Sequence, residues 1–165
     1  MGATPTAASP PRSLTAAIAT AWLVAGTLDG TAAVVTYCVR GGRNPERIAY
    51  YIASAALGRE TASAGGAAMV LAGTLFHYLV ALIWTVFFFL LYPRVALLRR
   101  NALAVGLVYG GFVWLVMNLI VVPLSRAQQP PLTPQSVAIG AAVLMLCIGL
   151  PISLLARRHY ARPGD

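Results

Sequence analysis

Residues 16–38 read AAIATAWLVAGTLDGTAAVVTYC, and a single acid, Asp29, interrupts an otherwise uncharged run. As a helix rising 1.5 Å per residue, a run of this length spans about 35 Å, enough to cross a hydrocarbon layer about 30 Å thick. An acid near the centre of such a span costs roughly 2.5–3.5 kcal/mol. A span bears that cost only where the acid is neutral, paired, or turned toward a wet or protein-lined interior.

The rest of the chain is of the same kind. It is 59% hydrophobic and only 10% charged, with mean hydropathy +0.76, whereas a soluble domain carries about a quarter charged residues. Four long apolar runs use up nearly the whole sequence, at about 14–39, 64–92, 102–124 and 135–156. They predict an all-α, integral membrane bundle of four transmembrane helices forming one domain over 14–158, with no room for a soluble domain. Residues 1–13, rich in Ala, Thr, Ser and Pro, read as a disordered tail, and 159–165 as a short C-terminal tail. The first run is too long for the apolar region of a signal peptide and reads as span one. Pro151 removes a backbone hydrogen bond near the end of span four and predicts a kink there.

Residues 45–57 differ. Asn44 suits an N-cap, Pro45 the first helical position, and Glu46 the positive end of a helix. Ile48, Tyr51, Ile52 and Ala55 recur at helical spacing, and Gly58 marks a stop. The segment is too short to span and predicts an amphipathic helix at the membrane interface, with a re-entrant segment as the alternative.

The net charge of +8 is carried by twelve arginines, with no lysine. They are divided among the span ends with no basic cluster, which argues against a nucleic-acid partner and for lipid headgroups. Seven arginines fall on the side of the termini (12, 94, 99, 100, 157, 158, 162) and five on the other (40, 43, 47, 59, 126). That bias favours both termini in the cytoplasm. Cys38 and Cys147 have no metal or redox spacing and read as small apolar residues. No phosphate loop, metal-ligand cluster or nucleophile motif occurs, so neither a cofactor nor an enzymatic role is expected. Trp84, Phe87, Phe88, Phe89 and Tyr92 read as an aromatic belt at the membrane surface.

Three polar residues remain as a candidate centre. Asp29 shares its helix face with Trp22, Ala25, Gly26, Ala33 and Thr36, mostly small residues that let another helix approach and turn the acid into the bundle. His77 is central in span two, at the same expected depth in an antiparallel neighbour, so an Asp29–His77 hydrogen bond is geometrically possible. Asn118 shares a face of span three with Trp114 and Gly111, which suits an interhelical hydrogen bond or the lining of a route into the same interior. Gly26 with Gly30, and Gly106 with Gly110, form two GxxxG packing faces.

The motifs GTLDG at 26–30, LFHY at 75–78, LLYP at 90–93 and VVPLS at 121–125, followed by QQPP, resemble the YagU-like family of small bacterial inner-membrane proteins. The resemblance runs loosely over about 16–158, and departs from the family's pattern in span four, whose interior has no acid or His. It implies a four-helix bacterial inner-membrane protein and, for activity, only an association with acid tolerance. Two function classes stay open. One is proton or cation handling or transport around Asp29 and His77, in which a narrow four-helix interior calls for a homo-oligomer. The other is a small accessory subunit packed against a membrane protein partner.

Overall fold

A computed structural model describes residues 13–129 and 131–161, and those residues contain helices and connections but no strand. Four helices are long and apolar enough to cross a membrane: α1 (Leu14–Val39), α4 (Ala67–Leu91), α5 (Ala102–Leu124) and α6 (Pro134–Tyr160). Two short helices, α2 (Glu46–Leu57) and α3 (Arg59–Ser63), lie between the first two spans. The chain is thus an all-α bundle of the multi-pass kind. Most of the two expected tails, 1–12 and 162–165, lies outside the described residues. The remainder is not tail: Ser13 caps α1, and α6 continues through His159 and Tyr160.

Lipid offers no partner for the four free N–H groups that open a helix, so the spans begin on caps. Ser13 Oγ accepts from the Ala16 N–H, and Asn101 Oδ1 accepts from Leu103 and Ala104 at 3.0 and 3.2 Å. Thr133 and Ser136 cap the start of α6 reciprocally. α4 instead follows Gly65 and Gly66, whose φ angles of 69° and 82° lie in the left-handed region that other residues seldom adopt.

Two spans widen into one π-turn each, at Met117–Val121 in α5 and Met145–Gly149 in α6. Each widening ends two residues before a proline, Pro123 or Pro151. Proline has no N–H and its ring presses on the carbonyl four residues back. Shifting to i→i+5 bonds, Val122 N–H to Met117 O and Leu150 N–H to Met145 O, relieves that crowding without breaking the helix. The shift leaves the Asn118 carbonyl without its usual helical donor, and Gln129 Nε2 donates to it from the following loop at 3.2 Å.

The spans alternate in direction, which brings the N-terminal ends of α1 and α5 to the same face as the C-terminal ends of α4 and α6. This half of the bundle is solid. Ala21, Ala25, Phe88, Phe89, Val113, Ile148, Ile152 and Ala156 are each 3% exposed or less. Three side chains clamp carbonyls of neighbouring spans: Tyr109 Oη to Trp84 O (2.6 Å), Ser153 Oγ to Ala102 O (2.8 Å) and Tyr160 Oη to Phe89 O (3.1 Å). The expected aromatic belt is therefore mostly core. Consecutive helical residues point about 100° apart, so a run of aromatics cannot share one surface. Phe88, Phe89 and Tyr92 turn inward while Phe87 stays 44% exposed.

At the opposite, distal face, α2 packs back on the first turns of α4. The backbone of Ala49 rests directly on Gly73, and a β-carbon there would collide with it. The helix starts at Glu46, with Pro45 at the cap position and no capping bond from Asn44. Gly58 ends it at φ 87°. The seating face is Ala49 and Ala53, not the Ile48–Tyr51–Ile52 stripe. Only small residues allow this approach, and the larger side chains are left to front an open space.

Candidate functional site: an acid between two cavities

α1 and α4 meet across the Gly26 and Gly30 face. A β-carbon on Gly26 would lie 3.0 Å from the Tyr78 ring, and one on Gly30 would lie 3.2 Å from His77 Nε2. Three polar bonds lock this contact: Trp22 Nε1 donates to Tyr78 O (2.7 Å), Thr27 Oγ1 pairs with Tyr78 Oη (2.9 Å), and His77 Nε2 lies 2.8 Å from Gly26 O. Gly106 and Gly110 pack instead on α6, against the backbone of Gly149, Leu150 and Met145. All four glycines are thus used within the chain.

His77 and Asp29 come to the same depth, but the imidazole bonds Gly26 O and not the acid. A carbonyl can only accept, so Nε2 carries a proton and donates it to Gly26 O, leaving Nδ1 outside this bond. Asp29 makes no hydrogen bond among the described residues. Every sealed side-chain nitrogen or oxygen there has a partner. The Asp29 carboxyl oxygens therefore face open space.

That space is two cavities. One, of about 730 Å³, lies between α1, α2 and α4; Asp29, Glu46, Thr74 and His77 are among its polar residues, together with Thr27, Thr31, Tyr51 and Tyr78, and Val34, Ile48, Ile52 and Val70 are in its walls. The other, of about 510 Å³, lies between α1, α5 and α6, with Asp29, Tyr37, Arg40, Trp114, Asn118 and Ser136 in its lining. Asp29, Ala33 and Tyr51 border both. Asn118 takes no part in the expected interhelical bond through its side chain. Nδ2 donates to Trp114 O on its own helix at 2.9 Å. It still lines the second cavity with Asp29.

From sequence, Glu46 and Tyr51 read only as parts of the amphipathic helix, not as site residues. Glu46 is one of only four acids in the chain, and its rarity was the available signal. It lies at the cavity margin and accepts from Tyr50 Oη at 2.8 Å, while Tyr50 Oη accepts from Gly66 N–H at 3.1 Å. The carboxylate holds the Tyr50 hydroxyl above its ordinary pKa, and burial raises that of Tyr51. Glu46, Tyr50 and Gly66 thus form a latch tying α2 to the start of α4.

The arrangement can exchange a proton or hold a cation at an open carboxylate, with an imidazole beside it whose tautomer is fixed. Among the described residues no cluster of three or more metal-ligating side chains occurs. No known family, curated protein or solved structure matches this chain.

Proposed function

We propose that this is a bacterial inner-membrane protein that handles protons or a small cation at Asp29, with both termini in the cytoplasm and the two cavities open to the outer face. The observation that carries the reading is the unpartnered Asp29 carboxyl, fronting both cavities in an otherwise apolar bundle. An intramembrane acid is expensive, and one that serves only packing is paired with a neighbouring helix. Here the neighbouring His77 is used on Gly26 O.

In this reading a proton or cation comes from the outer face past Tyr51 and reaches Asp29. His77 Nδ1 receives or returns a proton beside it, and Asn118 keeps the second cavity polar. The solid half below, built on Phe88, Val113 and Ile148, acts as the closed side of the pathway. The four-span form agrees with the YagU-like resemblance, and the association with acid tolerance fits a site that titrates. The accessory-subunit alternative has less support, because the glycine faces that would receive a partner are filled by the chain's own helices.

The test is proton flux in liposomes containing the purified protein. Wild type is expected to pass protons, and Asp29→Asn to lose at least tenfold of that flux with an unchanged thermal unfolding midpoint. Equal flux from the two proteins would overturn the reading, and none from either would remove its proton form.

A further inference from the structure

The larger cavity differs from its neighbour in volume and charge. Its volume of about 730 Å³ lies in the range of sites that enclose a drug-sized molecule, roughly 300–1,000 Å³. Its walls are mainly aliphatic, with carboxylates at two points, Asp29 inside and Glu46 at the margin, and no arginine lines it. The smaller cavity has Arg40 at its margin instead, which disfavours cations there. Val34 and Val35 border the larger cavity and are 38% and 54% exposed, so it opens along the flank of α1.

We propose that the larger cavity binds amphiphilic organic monocations, the apolar body lying on Val34, Ile52 and Val70 and the cationic centre at Asp29. The inference rests on the reading of Asp29 as an open, titrating carboxyl and names the substrate class of that site. A metal ion or hydronium needs no aliphatic walls, and a neutral lipid chain needs no carboxylates. An organic cation uses both. Its binding favours the carboxylate form of Asp29, so cation and proton compete for one group.

The titratable and charged groups around Asp29 are His77 and Tyr78 on α4, Glu46 and Tyr51 on α2, Tyr37 and Arg40 on α1, and Cys147, which approaches it from α6. Protonation of the Asp29 carboxylate removes the charge that holds the cation, so binding weakens as pH falls.

The experiment uses the purified full-length protein in detergent, with tetraphenylphosphonium as probe and tetraphenylborate, of the same shape and opposite charge, as control. Calorimetry at pH 8 is expected to show the cation bound at least tenfold more tightly than the anion. Binding of the cation should fall at least tenfold between pH 8 and pH 5, and at least tenfold in Asp29→Asn at pH 8. Equal affinity for the two ions would overturn the proposal without any variant. So would unchanged binding in Asp29→Asn. Asp29-dependent proton flux with no cation binding would overturn it too, while leaving the proton reading intact. Selective, Asp29-dependent binding without flux would support the substrate class and remove the transport reading.

Discussion

At the scale of single residues, what distinguishes this site is which polar groups are committed and which are free. Trp22, Thr27, Tyr78 and His77 all spend a hydrogen bond on the α1–α4 contact, and Asp29 spends none. The sequence located the acid and the imidazole at one depth, because both lie near the middle of antiparallel spans. It could not tell whether they bond, since that depends on helix rotation, and the close approach at Gly26 gave the imidazole a nearer acceptor. The Tyr50 latch carries a prediction of its own. Its hydrogen bond to Glu46 is the main cause that raises its pKa in the fold. Its contribution is therefore fully present below the ordinary tyrosine value of about 10, and is lost as pH rises through the higher value in the fold. Absorbance titration at 295 nm should show one fewer late-ionising tyrosine in Glu46→Gln than in wild type. Superimposable curves would dissociate Glu46 from Tyr50.

At the scale of elements, the four spans were readable because an apolar run long enough to cross a bilayer has few alternatives. The stop of α2 at Gly58 was marked by residue type, whereas Ser13, which caps α1, reads by composition as part of the tail. What sequence did not reveal depends on neighbours. The aromatic run on α4 became core because three other helices surround it, and α2 turned its small residues to α4 because Gly73 left a seat for them. Pro151 suggested a local disturbance, and α6 carries a π-turn before it, as α5 does before Pro123. The widened turn of α6 is also where α5 comes closest. A β-carbon on Gly149 would meet the backbone of Gly106 and Gly110, while one on Gly111 would meet only Met145 Cε, at 2.9 Å, the far end of a flexible side chain. Backbone cannot move aside as a methionine tip can, so Gly149→Ala should destabilise the protein by about 1–3 kcal/mol, the usual range for overpacking, and Gly111→Ala by much less. Thermal unfolding in detergent checks this. Equal midpoints for the two variants would mean that the crossing is looser than described.

At the scale of the whole molecule, the bundle is built in two halves. Near the termini, aromatic and aliphatic side chains fill the interior and hydroxyls clamp carbonyls across spans. Toward the distal face, α2 and the Pro-rich connection stand around the two cavities that share Asp29. The packed half supplies the stability that lets the other half remain open, and the openness is what makes an acid tolerable at that depth. The most direct test of this account is the aqueous accessibility of position 29. In a background carrying Cys38→Ala and Cys147→Ala, Asp29→Cys should react with a small cationic methanethiosulfonate reagent added to the outer side of intact cells, and should not react when the reagent is confined to the cytoplasmic side of inverted vesicles. Reaction from the cytoplasmic side alone, or reaction only after the protein is unfolded, would contradict the account.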